Sequence, residues 1–310
     1  MGGSTISRLI GSSQYCAVTD DALKDEDNAA WVMQLEPAIR QEWIERSYWI
    51  RLVDRLAESD LIHHRRGQFR QFQAGWQWLL QTGEVRTDLP HQQVLGAMRD
   101  RWFSQGFQLP QYLSILSWDR YLWAISHYHK PDLKLETLNQ YETLLQDLGG
   151  NFFQVLPFLF PEHWQSARYL GALDQFYNNL RDLQEDARMG VCYLPNCLLQ
   201  NFGVGREEIL HLSAPKNPGY HRMMAFLLDR YLPQLYQKAS RLFSATNLHP
   251  SWEILRDWSW HRYRRIDRTF RECNFDYNQF PQAYWSRVQQ ELANEIPTSS
   301  ATLPWYRVSL

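Results

Sequence analysis

The stretch "DQFYNNLRDLQEDARMGVCYLP", residues 174–195, reads as one helix running into a turn, with acids and amides crowded onto it. Gln175, Asn178, Asp182 and Asp186 follow at steps of three, four and four, so they form one stripe along a helix face. Gly190 is a usual helix stop, and Tyr193 and Leu194 run extended because the residue before Pro195 is held out of helical geometry. Carboxylates four residues apart repel by about 0.2–0.5 kcal/mol when exposed. With amide neighbours they suit a hard cation such as Mg²⁺, which takes oxygen ligands, keeps waters and uses one or two carboxylates plus substrate phosphates. The plain alternative is a solvated face on which Arg181 pairs with Glu185, and Glu185 with Arg188.

A second acidic face lies upstream. In "YWIRLVDRLAESD", Arg51, Asp54 and Glu58 fall at i, i+3 and i+7, again one side of a helix with an apolar flank. Its plain alternative is a surface ion pair of Arg51 with Asp54, worth little. If the two faces oppose each other across a bundle, four carboxylates converge on a hollow, and bundle cores are where such metal sites are built.

The surrounding text is helical too. Ile39, Trp43, Ile50, Val53 and Ala57 keep the three- and four-residue steps of an amphipathic helix, and "GQFRQFQAGWQWLLQTG" does likewise up to Gly83. Further periodic segments run near 92–106, 110–129, 135–160, 163–189, 217–245, 250–273 and 281–295, separated by breakers such as "RTDLPH" and "SAPKNPG". Alternating strand patterns are nearly absent, so the expectation is an all-α fold: a loose arm over 1–27, one helical domain over 28–296 and a tail over 297–310.

With 32 basic against 34 acidic residues and no block of one sign, nucleic acid is not an expected partner. Four cysteines without a CxxC pair point to reduced thiols, and neither a signal peptide nor an 18-residue apolar run is visible, so a cytoplasmic protein is expected. The 14 Trp, 16 Tyr and 15 Phe mostly read as core, with an aromatic-walled tunnel for a long apolar ligand as the sharper reading. "HHRR" at 63–66 reads as a solvated helix end, and Cys192 and Cys197 as small packing residues.

The stretch "LGALDQFYNNLRDLQEDARMGVCYLP" resembles the second aspartate-rich region of the squalene and phytoene synthases, whose usual text is close to LGxAxQxxNxxRDxxEDxxxGxxYLP. "RLVDRLAE" resembles their first region, RxxDDxxD, with Arg40 upstream. Weaker likeness runs through "YETLLQDLGGNFFQVLPFLF", where Gly150 takes the place of a family glycine, and "HRYRRIDRTFRECNFDYNQF". Together these cover residues 28–285.

The resemblance implies an isoprenoid-synthase-type helical bundle with a central cavity, joining two C20 or C15 prenyl diphosphates head to head. Carried over by position, Asp54, Glu58, Asp182 and Asp186 are the implied catalytic residues and hold Mg²⁺, or Mn²⁺ in its place. Arg51, Gln175, Asn178 and Arg181 contact diphosphate, with Tyr263 close by. The phytoene type is preferred over the squalene type, and peripheral membrane contact is compatible with a greasy product. Departures favour a second reading, a family member that binds prenyl lipids or protein partners without turnover. Arg55 reverses an acid, Glu58 lengthens one, Phe280 replaces a phosphate-binding Arg, and Gln146 and Asp147 replace small residues before Gly150.

Overall fold

Every regular element is helical in the computed structural model, which describes residues 31–295 apart from 33, 63–66, 104, 105 and 107. The arm over 1–27, the "HHRR" segment and the tail over 297–310 lie outside the described residues.

Helix α1 (Pro37–Ala57) buries Trp43, Ile50, Val53 and Ala57, the stripe expected from its spacing, while Ile39 is half-buried. It does not stop at Ala57 but widens into a π-turn over Glu58–Ile62. Helices α2 (Gln68–Thr82), α3 (Gln92–Trp102) and α4 (Leu109–Tyr128) follow, and α1 packs against both α2 and α4. Their shared core is indole on indole: Trp102 meets Trp49 edge-on at 5.3 Å and Trp76 at 5.9 Å. Most of the aromatic content is thus core, as the commoner reading of the composition held.

The segment expected as one helix over 135–160 is shorter and interrupted. Thr137 caps α5 (Leu138–Leu145) through a capping box with Gln140. A π-turn over Gln146–Gly150 then leads into α6 (Asn151–Val155), and Leu156 leaves the helix because Pro157 follows. The decisive stretch divides similarly into α7 (Trp164–Arg181) and α8 (Leu183–Arg188), since Asp182 sits at φ −93°, ψ 5°. Hydrogen bonds from Asp182 N to Asn178 O (2.9 Å) and from Asp186 N to Asp182 O (2.8 Å) carry the register across the break, so the polar stripe survives. Gly190 ends it at φ 76°, a left-handed conformation that glycine adopts freely.

Two short helices, α9 (Asn196–Phe202) and α10 (Arg206–Leu210), were not expected; each spans too few turns to show a period. The remainder is α11 (Pro218–Phe226), a π-turn over Leu227–Tyr231, α12 (Leu232–Phe243), α13 (Pro250–Glu272) and α14 (Phe280–Glu295).

Helix α7 runs through the middle of this arrangement, against the 146–150 π-turn, α5, α6, α12 and α13. Ten of its 18 residues are buried, so a polar stripe on it must face a hollow or be matched internally. Its contact with the π-turn is backbone on backbone. A Cβ placed on Gly171 would lie 2.1 Å from the Gly149 carbonyl oxygen, and one on Gly149 would lie 2.1 Å from that of Gly171. Gln146 and Asp147 therefore do not prevent close approach, because Gly149 and Gly150 provide it. Asp147 turns aside to pair with Arg168 at 2.7 Å and to accept from Tyr128 at 3.1 Å. Among the described residues, no helix is long and apolar enough to cross a membrane.

Candidate active site

The two acidic faces meet across one cavity of about 170 Å³. Arg51, Asp54 and Glu58 line it from α1 and its π-turn, and Gln175, Asn178, Asp182 and Asp186 line it from α7 and α8. Much of the rest of the wall is apolar, with Trp43, Ile50, Phe152, Phe153, Leu156 and Leu255 among its residues, though Ser47, His129, Asp174 and Arg262 also line it.

Asp54 is held in place by a long-range bond: Tyr121 Oη on α4 donates to its Oδ1 at 2.7 Å. Burial, then the Asp54 charge, pushes the Tyr121 phenol well above its ordinary value, so it remains a donor. Tyr193 reports the arrangement of the carboxylates. Burial raises its phenol well above the usual value, and Asp186, Glu58, Asp54 and Asp182 each raise it further. Tyr193 lines the same cavity as both acidic faces. The "YLP" turn therefore delivers a protonated phenol to the site.

Arg51 makes no surface pair with Asp54; its Nη1 is buried without a hydrogen-bond partner, a donor left over for an anion. Arg181 behaves otherwise. It grips the neighbouring Asp182, Nε to Oδ1 at 2.7 Å and Nη2 to Oδ2 at 2.9 Å, rather than pairing with Glu185, and it is not on the cavity wall. Tyr263, expected beside the diphosphate, is fully buried behind the wall, donating to Asp174 Oδ1 at 2.8 Å and stacked on Tyr177 at 4.7 Å. A motif position fixes the helix and the turn, but not whether a ring lies before or behind the lining.

Of the departures from the family text, Glu58 lines the cavity, whereas Arg55 and Phe280 fall outside it. Arg55 is exposed and absent from the wall. Phe280 is buried among Phe270 and Tyr284, each 5.3 Å away, so it closes the core under α14 instead of meeting phosphate.

Asp174 and Arg262 line the cavity as an ion pair, and sequence reading passed over both. An acid one residue before Gln175, on the apolar side of a core helix, was the available signal. Cys192 is buried and its thiol is pushed up by that burial, in keeping with a packing role.

The donor set fits a hard cation. It consists of carboxylate oxygens and the Asn178 Oδ1, which is buried and has no hydrogen-bond partner. Among the described residues, no three His, Cys, Asp or Glu side chains converge closely enough to hold an ion by themselves. A cation here would need oxygens from a phosphate or water to complete its shell, which is how Mg²⁺ is commonly bound.

Comparison with known proteins agrees with this architecture. The model of the squalene/phytoene synthase family matches residues 22–289. Among solved structures, a dehydrosqualene synthase in complex with ligand superposes with a TM-score of 0.60 at 15% identity, over 92% of this chain and 95% of that one. The squalene synthase HpnC from Alicyclobacillus acidocaldarius superposes with a TM-score of 0.60 at 18% identity, over 84% of this chain and 92% of its own. Identities this low speak for the fold alone. No curated protein matches the chain significantly. Because the family match takes in both acidic faces and every helix between them, the chain belongs to the squalene/phytoene synthase family.

Proposed function

We propose that the protein is a prenyltransferase that joins two prenyl diphosphates head to head, of the phytoene type with C20 substrates in preference to the squalene type with C15. The observation that carries this reading is the opposition of Asp54 and Glu58 to Asp182 and Asp186 across a cavity with an apolar wall. Loss of diphosphate from an allylic carbon leaves a carbocation and a highly charged leaving group, and a lining that combines carboxylates with apolar and aromatic side chains suits both needs.

Mg²⁺, or Mn²⁺ in its place, held by Asp54, Glu58, Asp182 and Asp186, would neutralise the departing diphosphate as a Lewis acid. The unpaired Nη1 of Arg51 offers a charged donor to the same group. Tyr193 keeps its proton and can offer a hydrogen bond to a phosphate oxygen. Phe152, Phe153 and Trp43 on the same wall would keep water out and offer ring faces to a developing positive charge.

The non-catalytic alternative drew on Arg55 and Phe280, and neither side chain touches the cavity. Incubation with Mg²⁺ and C15 or C20 prenyl diphosphates, followed by extraction and mass analysis of hydrocarbons, tests the proposal. A coupled C40 hydrocarbon is the expected result. Diphosphate release without coupling would indicate an altered reaction, and no release would favour the binding protein. Peripheral membrane contact belongs to the same proposal: α4 exposes Leu109, Tyr112 and Trp123 at steps of three and eleven, near one face.

A further inference from the structure

We propose that Asp174 is a positioning residue: it decides which end of the Asn178 amide faces the acidic stripe, and so makes Asn178 an oxygen donor towards the cation. This role rests on the proposed function, in that the cavity is taken to hold a metal ion with diphosphate.

Asp174 is 2% exposed and lies one turn before Asn178 on α7. Its Oδ1 accepts from Tyr263 Oη at 2.8 Å and is ion-paired with Arg262 Nη2, both from α13. Its Oδ2 accepts from Asn178 Nδ2 at 3.0 Å. A carboxylate set between a guanidinium and a phenolic hydroxyl serves as an acceptor on both oxygens, so only the nitrogen end of the amide can turn towards it. The carbonyl end must then point the other way. Asn178 Oδ1 is buried and without a hydrogen-bond partner, on a wall shared with Asp182 and Asp186.

An orphan buried acceptor is unfavourable unless something fills it. Phosphate oxygens are acceptors themselves and would be repelled, whereas a cation or a donor is attracted. Asn178 therefore faces the ion and not the diphosphate, which differs from the role implied by its place in the motif. The Asp174, Arg262 and Tyr263 cluster, braced by the Tyr177 ring stacked on Tyr263 at 4.7 Å, is the support that fixes this choice.

Mn²⁺ binding to the full chain, read by electron paramagnetic resonance with inorganic pyrophosphate present, tests the role. In Asp174→Asn, the new amide can offer N–H to the Asn178 carbonyl, so Asn178 is free to turn over. In the double variant Asp174→Leu with Arg262→Leu, the ion pair leaves as a unit, a change buried pairs often tolerate, and the acceptor for Asn178 is gone. Both should bind Mn²⁺ about 10–100-fold more weakly, the size of effect usual for supports of a metal ligand. The double variant should keep its helical circular dichroism and thermal midpoint. Asn178→Ala should show the same loss, and adding Asp174→Asn to it should change nothing further. Unchanged Mn²⁺ affinity in folded Asp174→Asn would overturn the role, as would losses that add in the combined variant. If the wild-type chain itself bound no Mn²⁺ with pyrophosphate, the metal reading of the cavity would fall, and the role of Asp174 with it.

Discussion

Tyr121 Oη on α4 donates to Asp54 Oδ1 on α1 at 2.7 Å, tying the wall of the cavity to one of its acids across 67 residues of chain. The bond occupies one carboxylate oxygen and leaves the other to face the cavity. Tyr121→Phe removes the donor while keeping the ring in its core contacts with Trp118 and Phe152. Diphosphate release should fall about 10–100-fold, the usual effect of losing a residue that orients a ligand. Steady-state kinetics alongside circular dichroism checks it; full activity would mean that the Asp54 orientation does not depend on Tyr121.

The same bond shows where sequence stops being informative. The acidic stripes were legible because helical periodicity fixes which side chains share a face: Gln175, Asn178, Asp182 and Asp186 all reach the cavity, as do Arg51, Asp54 and Glu58. Tyr121 carries no local signal, because its partner is remote in the chain and its own helix is apolar on several sides. Tyr263 was placed at the site by its motif and lies behind it, since rotation about α13 is set by packing on Tyr177. Arg181 was assigned to substrate, but it pairs with the adjacent Asp182 and is not on the cavity wall. The helical segments were legible too, whereas the break at Asp182 and the π-turns at Glu58–Ile62 and Gln146–Gly150 were not, because so local a change in winding leaves no mark in the apolar pattern.

The closeness of α7 to the 146–150 turn should be sensitive to a single methyl group. In Gly171→Ala the Cβ would meet the Gly149 carbonyl oxygen at 2.1 Å, a backbone atom that cannot swing aside. Overpacking of this kind costs about 1–3 kcal/mol. Gly96→Ala is the control, since nothing lies within 4 Å of a Cβ there. It should be neutral or stabilising by up to about 1 kcal/mol, as expected inside a helix. Chemical denaturation of the two variants should move the midpoint in opposite directions or move only that of Gly171→Ala.

Asp182 is clasped by Arg181 through both oxygens, yet it faces the cavity. Asp182→Asn keeps the shape and removes the charge. If the carboxylate serves a metal ion, diphosphate release should fall at least about 100-fold, equivalent to about 3 kcal/mol of lost transition-state stabilisation. Helical content should be retained. Near-normal turnover would remove Asp182 from the metal assignment.

Arg55 supplies the opposite expectation. It stands where the family text has an acid, so a reading from the motif alone would have Arg55→Asp restore a missing ligand and sharpen the response to Mg²⁺. In the structure the side chain is exposed, one turn beyond Arg51 along α1, and it contributes nothing to the cavity wall. The substitution should therefore leave the Mg²⁺ titration of diphosphate release unchanged and alter stability by no more than about 0.5 kcal/mol, as surface changes usually do. Arg51→Ala, four residues earlier and on the cavity wall, should by contrast weaken substrate binding, because its buried Nη1 is the donor that an incoming diphosphate would meet. A shifted Mg²⁺ midpoint in Arg55→Asp would show that α1 turns during turnover and brings this position to the metal.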